Sequence, residues 1–312
     1  MINKSEWPMV TVDDLKDEKF GNKKRTLFGY FGAKWYLLDV IYALMPEHVK
    51  FFDTCGGSGV VTINNYISQQ RVINEIDPEL FNLYRLIKSD RWSELQDKLL
   101  LSPASSSHYR ENLGRMKKEI NDEIEKVGTF YDVMAQVYGG NPTGTGWANI
   151  IGTRAELSYY RKIANFEFFH QRLKDVEIQH MDLCELLKGY DNPEHLFYLD
   201  PPYAPETRKG GTYRYDMPPE KHDHILSTLV MGNGKYIVSG YNSDRYNKML
   251  RPPKWNKLEI PAKLHIACVR ASQGEHKEDT LECFWYNYQL SAEAAAKVAE
   301  IKRKAESRIR PR

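Results

Sequence analysis

The chain has 312 residues, of which 41% are hydrophobic and 28% are charged. That length predicts two domains, or one large domain with an insertion, and the composition excludes a disordered or fibrous chain. The net charge of +2, from 44 basic and 42 acidic residues, neither requires nor excludes a polyanionic partner. No apolar run approaches the ~18 residues that cross a bilayer, and the polar N-terminus lacks a signal-peptide core. We therefore expect a soluble, cytoplasmic protein without a membrane partner.

Neither the cysteines nor the histidines form a metal-binding pattern. The four cysteines are scattered and include no CxxC pair, which predicts reduced thiols instead of a disulfide framework or a zinc site. His222 and His224 have nearly metal-like spacing, but residues two apart face different sides of a helix. We therefore expect no metal.

The N-terminal third predicts the opening of an α/β unit with a parallel sheet. A glycine-containing loop precedes a helix that ends before Pro46, and two strands then follow, each leading into a helix. The predicted elements are the loop 28–34, helix 37–45, strand 49–53, glycine turn 54–59, helix 60–67, strand 71–75 and helix 78–88.

The middle of the chain has a different pattern. Residues 89–170 are polar and mostly helical, and residues 139–147 contain so many turn formers that we expect a long exposed loop. We interpret 89–173 as a separate module inserted into a discontinuous α/β domain that comprises 1–88 and 174–290.

The α/β pattern then resumes and continues almost to the C-terminus. A final basic segment, 291–312, carries seven Lys or Arg and three Glu and predicts a basic helix. The predicted elements are strands 176–178 and 196–200, helix 219–231, strand 236–239 and two late β-rich segments, 264–269 and 280–288.

A glycine-rich turn follows the first predicted strand. Glycines between a strand and a helix let the backbone approach a ligand closely. The spacing fails the dinucleotide GxGxxG pattern, and the leading carboxylate of Asp53 disfavours phosphate and favours an amine or a cation. A tight turn without any ligand is the alternative interpretation.

A second acid, Glu75, ends the next predicted strand, 18 residues after Gly57. In α/β nucleotide folds an acid about 20 residues beyond the glycines accepts hydrogen bonds from ribose hydroxyls. A surface acid is the alternative. Together with Asp53 and the glycines, Glu75 describes an adenosyl ligand without phosphates, and S-adenosylmethionine is the common one.

The most specific motif is Asp200-Pro201-Pro202-Tyr203, directly after an apolar strand. Consecutive prolines fix the backbone and remove two N–H donors, so the Asp carboxylate and a Pro carbonyl form an acceptor pair for a planar NH₂ group. The tyrosine offers a stacking face for a base. The arrangement suits methylation of an exocyclic amine, whereas the alternative is an ordinary turn followed by a core tyrosine.

From about residue 26 to 288 the chain resembles the Dam-like class of N6-adenine-specific DNA methyltransferases. The tetrapeptide matches that class outright, and residues 31–34 are similar to its N-terminal GGK box except for Ala33 in place of the second glycine. The resemblance implies a Rossmann-like methyltransferase sheet with an inserted, mostly helical DNA-recognition domain. It also implies methyl transfer from S-adenosylmethionine to the N6 amino group of a flipped adenine in double-stranded DNA, with S-adenosylhomocysteine as the product.

The resemblance carries roles to individual positions. It implies that Lys34 contacts the cofactor carboxylate and that Asp182 binds the cofactor adenine. The predicted catalytic residues are Asp200, Pro201, Pro202 and Tyr203. The predicted cofactor-binding residues are Phe31, Gly32, Lys34, Asp53, Cys55, Gly56, Gly57, Ser58, Gly59, Glu75, Ile76, Asp182 and Leu183.

In this class the recognition module lies between the ribose-binding acid and the catalytic tetrapeptide, as the polar insertion does here. Residues 138–141 resemble the beginning of the recognition loop, and a basic, aromatic loop, 207–215, follows the tetrapeptide. Lys and Arg neutralise phosphates, and Asn or Arg read base edges. The predicted DNA-binding residues are Asn141, Thr143, Trp147, Asn149, Arg154, Arg208, Lys209 and Arg214.

Several alternatives stay open. The same chemistry could act on RNA adenine or on the cytosine N4 amino group, and a catalytically silent nucleic-acid-binding relative would keep the fold. A cognate restriction endonuclease is an optional partner that no segment of the chain encodes. The sequence indicates a bacterial or phage-encoded protein of the host cytoplasm, but it gives neither the DNA recognition sequence nor the oligomeric state.

Overall fold

The structure is a computed structural model that describes residues 25–137, 140, 146–148, 154–207, 213–263 and 279–309. Within these residues seven strands form one sheet in the order β3–β2–β1–β4–β5–β7–β6. Strands β1 to β5 run parallel, whereas β7 is antiparallel to both β5 and β6. The strands are β1 Lys50–Asp53, β2 Gln70–Asn74, β3 Val176–Gln179, β4 His195–Leu199, β5 Lys235–Tyr241, β6 Asn256–Lys263 and β7 Asp279–Tyr286. The predicted mixed α/β class is confirmed.

Helices precede, connect and follow the strands. Of the described helices, none is both long and apolar enough to span a bilayer. Their bounds are α1 Leu38–Leu44, α2 Val60–Ile63, α3 Pro78–Lys88, α4 Trp92–Leu101, α5 Ser106–Arg115, α6 Glu123–Gln136, α7 Arg154–Ala164, α8 Phe166–Leu173, α9 Leu183–Gly189, α10 Pro219–Met231, α11 Asp244–Met249 and α12 Ala292–Ile309.

Both faces of the sheet are covered by helices. Successive residues of a strand point to opposite faces, so Phe51 packs with helices α1 and α12, whereas Phe52 packs with α9 and α10. Helices α3, α4, α6, α7 and α8 share one hydrophobic cluster with Ile73 of β2 and Val176 of β3. The helices of 89–173 therefore pack directly onto the sheet, and a separate recognition domain stays a prediction.

Two expectations differ from the structure. The predicted helix 60–67 ends at Ile63, because Asn65 accepts hydrogen bonds from the backbone N–H groups of Ile67 and Ser68 and forms a turn instead. Strand β6 was not predicted, since its sequence contains two lysines and a proline. The β-rich segment 264–269 lies outside the described residues. The basic C-terminal helix is confirmed as α12, of which Val298 packs against the cluster around α1.

Phe197 on β4 allows a direct test of the core. Its ring is fully buried and stacks on Phe52, with ring centroids 4.6 Å apart. We expect Phe197→Ala to lower the free energy of unfolding by about 3–5 kcal/mol, because truncation leaves a cavity in a close-packed interior. The matched control is Leu101→Ala, since Leu101 is 86% exposed. Urea unfolding of both variants measures the difference, and equal effects would contradict this description of the core.

Candidate active site

The candidate site lies where the strand order reverses. The second strand of the chain lies on one side of β1, and β4 lies on the other. In open α/β sheets ligands bind at the carboxyl ends of the strands at such a switch point. Asp53 ends β1, and Asp200 follows the last residue of β4. The backbone N–H of Thr54 donates to the carbonyl of Tyr198 at 3.0 Å, which holds the glycine turn beside the Asp-Pro-Pro-Tyr tetrapeptide.

The carboxylate of Asp200 is held by partners from two other segments. Lys34, from the loop before α1, donates to Asp200 Oδ2 at 2.7 Å, and Ser239 on β5 donates to Oδ1 at 2.9 Å. Lys34 is 3% exposed. Burial acts to lower the pKa of Lys34, but the nearby carboxylates outweigh burial and raise the pKa above its usual value. Lys34 therefore carries a positive charge directly beside Asp200.

The tyrosine of the tetrapeptide is more enclosed than the sequence predicts. Tyr203 is 8% exposed, its ring packs edge-on against Tyr241, and the Lys34 ammonium lies 4.9 Å from its centroid. Its hydroxyl donates a hydrogen bond to Glu282 on β7. A small cavity adjoins the tyrosine and is lined in part by Ser239. Stacking of Tyr203 on a base therefore stays a prediction.

Two predicted cofactor acids are buried behind the glycine turn. Asp53 accepts a hydrogen bond from Thr62 Oγ1 at 2.8 Å, and Glu75 accepts from the backbone N–H groups of Gly57 at 2.7 Å and Asp77 at 2.9 Å. Burial raises the pKa of Asp53 to about 7, although the hydrogen bond from Thr62 acts against it. Burial likewise raises the pKa of Glu75 to about 7 against its two backbone hydrogen bonds.

The glycines of the turn are needed for two different structural reasons. Gly57 and Gly59 have φ of +54° and +68°, a left-handed conformation that other residues adopt at a cost. A Cβ at Gly56 would lie 2.6 Å from Ile73 Cγ1, so the turn also approaches β2 too closely for any side chain. Because the backbone packs this tightly, the Gly57 N–H reaches Glu75 and links the turn to the end of β2.

Asn74 fixes the relative positions of three segments, a role that was not predicted from the sequence. Its side-chain amide donates to the carbonyls of Thr54 and Met181, both at 3.1 Å, while its oxygen accepts from the Met181 N–H at 2.9 Å. Both amide groups of Asn74 are therefore satisfied within the fold. Its place directly before Glu75, at the end of a buried strand, was the available signal.

The predicted adenine-binding acid, Asp182, caps a helix. Its carboxylate accepts from the N–H groups of Cys184 at 2.9 Å and Glu185 at 3.4 Å, and it forms an ion pair with Lys221. Burial acts to raise the pKa of Asp182, but the hydrogen bonds from Lys221 and Cys184 outweigh it and lower the pKa. These contacts place Asp182 at the N-terminus of α9, and its contact with a cofactor stays a prediction.

The other predicted cofactor residues differ in exposure. Ser58 and Leu183 are buried, and burial raises the pKa of the Cys55 thiol. Ile76 is 48% exposed directly after Glu75 and so offers an apolar surface beside the acid.

The comparisons with known proteins decide the family. Residues 30–252 match the family described as D12 class N6 adenine-specific DNA methyltransferase, which is more than half of the chain. The chain belongs to this family. It is also similar to a protein named DNA N-6-adenine-methyltransferase from Escherichia phage P1, with 18% identity over 261 residues. That match covers 80% of this chain but only 34% of the phage protein, so the chain spans about a third of the length of this relative.

In this D12-class chain, the loop that carries Phe31 and Gly32 contacts two segments that flank the predicted DNA loops. The Phe31 N–H donates to the carbonyl of Gly140 at 2.9 Å, and its ring packs edge-on against Tyr213 with centroids 5.4 Å apart. A Cβ at Gly140 would lie 2.7 Å from the carbonyl oxygen of Gly29. The structure thus brings a predicted cofactor loop into contact with both predicted DNA segments.

Two predicted DNA-binding side chains are engaged within the protein. Arg214 lies 3.2 Å from Asp77 and over the ring of Phe130, and its side chain is 22% exposed. Trp147 donates from Nε1 to Gln136 Oε1 at 3.3 Å and packs beside the cluster around Tyr109 on α5. DNA contacts by either residue stay predictions.

The remaining predicted DNA-binding residues are less informative. Arg154 begins α7, and nothing is described of its side chain. Asn141, Thr143, Asn149, Arg208 and Lys209 lie outside the described residues.

No three His, Cys, Asp or Glu side chains gather as a metal site in the part of the chain that the structure describes. His222 is buried, and its Nδ1 lies 2.8 Å from the hydroxyl of Tyr246.

The raised pKa of Asp53 predicts a pH-dependent contribution to stability. When a carboxyl group has a higher pKa in the folded than in the unfolded state, its contribution to the free energy of unfolding falls as pH rises from about 4 to about 7. We therefore expect the difference in free energy of unfolding between Asp53→Asn and the wild type to shift in favour of the variant across that window. Urea unfolding at several pH values measures it, with the exposed Asp97→Asn as control. A difference that does not change with pH would contradict the burial of an acid at this site.

Proposed function

We propose that this D12-class chain transfers a methyl group from S-adenosylmethionine to the N6 amino group of adenine in double-stranded DNA. The observation that carries the proposal is the intact Asp-Pro-Pro-Tyr sequence after β4, beside the glycine turn after β1 in a chain of this family. Family membership and the phage relative support an adenine DNA methyltransferase, and they offer no support for RNA or cytosine as substrate.

The acidic side chains of the site fit the proposed cofactor. Asp53 and Glu75 are buried acids whose pKa values burial raises, so the cleft favours a ligand with positive charges and hydroxyl groups. A carboxylate oxygen has two lone pairs, so those oxygens of Asp53 and Glu75 that accept one hydrogen bond keep a second acceptor position. Asp53 would hold the ammonium group of the cofactor, Glu75 its ribose hydroxyls and Ile76 one face of its adenine. When bound, S-adenosylmethionine supplies a methyl group made electrophilic by its sulfonium.

The tetrapeptide orients the nucleophile. The Asp200 carboxylate and the Pro201 carbonyl accept hydrogen bonds from the two N–H groups of a planar amine. The nitrogen lone pair then points out of the plane of the base. Since Asp200 Oδ2 bonds to Lys34 and Oδ1 to Ser239, the carboxylate cannot rotate freely. Catalysis consists mainly of alignment, because a fixed in-line approach removes much of the entropic barrier. Asp200 is also positioned to accept the proton that the methylated nitrogen must release.

We also propose that 89–173 is the DNA-recognition segment and that the loop 207–215 acts with it on a base flipped out of the duplex. An adenine inside a stacked duplex cannot reach a cleft at the end of a sheet, so flipping is required. The contacts of Phe31 with Gly140 and Tyr213 support a joint action of these two segments at the cofactor loop. Such a protein acts where bacterial DNA is, in the cytoplasm, with or without a restriction endonuclease.

Substitution of Asp200 tests the proposed reaction. We expect Asp200→Ala to reduce methyl transfer to duplex DNA by at least about 1,000-fold, because the amine loses its charged acceptor, while cofactor affinity changes by only about 3-fold. Transfer of tritiated methyl groups to DNA and to RNA measures activity, and calorimetry measures cofactor binding. The control is Asp223→Asn, an exposed acid paired with Arg245. Loss of cofactor binding together with turnover, in a variant that circular dichroism shows to be folded, would mean that Asp200 belongs to a different site.

Cofactor binding should release protons. A cationic ligand favours the ionised forms of Asp53 and Glu75 and lowers their pKa, so its affinity rises with pH up to about 7 and then levels off. Calorimetry in two buffers of different ionisation enthalpy measures the protons released at about pH 6.5. Asp53→Asn should reduce that release, and S-adenosylhomocysteine, which lacks the sulfonium, should cause less of it. Proton uptake would contradict the assignment.

A further inference from the structure

Glu282 is a buried carboxylate at the centre of the candidate site. It lies on β7 between Leu281 and Cys283 and is only 1% exposed. A buried carboxylate destabilises a fold unless it is paired and hydrogen-bonded. Glu282 has both kinds of partner. The Tyr203 hydroxyl donates a hydrogen bond to Oε1, and the Lys34 ammonium lies 4.0 Å from the same oxygen.

These contacts form a network around the tetrapeptide. Lys34 bonds to Asp200 at 2.7 Å and lies 4.0 Å from Glu282. Glu282 accepts from Tyr203, whose ring lies beneath the Lys34 ammonium with a centroid distance of 4.9 Å. The edge-on ring of Tyr241 closes a further side of Tyr203. Movement of any one member therefore disturbs the other three.

Resting on the proposed methyl transfer, we propose that Glu282 is a positioning residue that fixes the ring of Tyr203 and shares Lys34 with Asp200. The hydrogen bond determines the rotation of the tyrosine, because a ring held at its hydroxyl cannot swing about its Cα–Cβ bond. The shared lysine also leaves Asp200 only partly neutralised, so that its carboxylate remains a strong acceptor for the substrate amine. Glu282 thus acts through two catalytic-site residues without touching the base.

The surroundings of Glu282 support a titration within the working range of pH. Burial raises the pKa of Glu282 to about 7, although Lys34 and Tyr203 act against it. The titratable and charged groups that face it from the elements packed around it are Lys34 and Tyr36 before α1, Tyr198 on β4, Asp200 and Tyr203 after β4, and Tyr241 on β5. Protonation of Glu282 weakens its attraction for Lys34 and its acceptance from Tyr203.

The variant Glu282→Gln tests the proposal, since it keeps a hydrogen-bond acceptor but removes the charge. The matched control is Glu259→Gln. Glu259 lies opposite Cys283 in the β6–β7 ladder and pairs with Lys257 on the solvent-exposed side. We expect Glu282→Gln to lower kcat about 10-fold with KM for cofactor and DNA within about 3-fold, whereas the control retains wild-type kinetics.

Two further measurements separate positioning from a merely structural role. At saturating cofactor and DNA, kcat of the wild type should fall as pH drops through about 7, and Glu282→Gln should lose this acid limb.

In a double-mutant cycle with Tyr203→Phe, the two effects should be non-additive, because both variants break the same hydrogen bond. Should Glu282→Gln not fold, Tyr203→Phe alone must move the acid limb to higher pH, since it removes a contact that lowers the pKa of Glu282.

The proposal is overturned by an unchanged kcat and pH profile in Glu282→Gln, by additive effects in the cycle, or by an unmoved acid limb in Tyr203→Phe. A wild type that binds the cofactor but methylates neither DNA nor RNA would instead refute the proposed function. In that case the tyrosine ultraviolet difference spectrum between wild type and Glu282→Gln, measured without DNA, decides the contact. A difference that disappears in the Tyr203→Phe background supports it, and no difference overturns it.

Discussion

The site depends on one buried ion pair, between Lys34 and Asp200. Lys34 comes from a loop before the first helix, Asp200 follows β4, and the nearby Glu282 belongs to β7, so segments from the beginning, middle and end of the chain meet at one ammonium group. Removing one partner of such a pair leaves an uncompensated buried charge, which is strongly destabilising. The sheet order adds Asp53 at the neighbouring strand end, so the carboxylates of Asp53 and Glu282 both lie near that of Asp200.

Backbone packing holds the predicted cofactor-binding acids in position. Gly56 brings the turn against β2, and the resulting approach lets the Gly57 N–H bond to Glu75. Asn74 then fastens the turn to the segment that leads into Asp182. These contacts give the buried side chains of Glu75 and Asn74 hydrogen-bond partners within the fold, as buried polar groups require. The acids are consequently held in place before any ligand arrives, and a ligand need not order them.

The sequence predicted the parts of the site that are local in the chain. The tetrapeptide and Glu75 are short patterns at strand ends, where the order of the motifs already implies a shared edge of the sheet. Glu282 could not be assigned in this way, because its partner Tyr203 is 79 residues away and the pairing arises only when β7 inserts antiparallel beside β5. A glutamate between Leu281 and Cys283 in an apolar strand was the available signal. The helices of 89–173 share a hydrophobic cluster with Ile73 of β2 and Val176 of β3, and this packing could not be predicted from the polar composition of the segment.

The raised pKa values of the buried acids suit the direction of the proposed reaction. Before transfer the cofactor carries a sulfonium and an ammonium, whereas afterwards its sulfur is a neutral thioether. A cleft in which burial raises the pKa of Asp53 and Glu75 binds the more positive species in preference, because that charge offsets the unfavourable burial of ionised carboxylates. The product lacks one of these charges, and the acids can return to their protonated forms as it leaves. The burial of Asp53 and Glu75 thus favours both cofactor loading and product release.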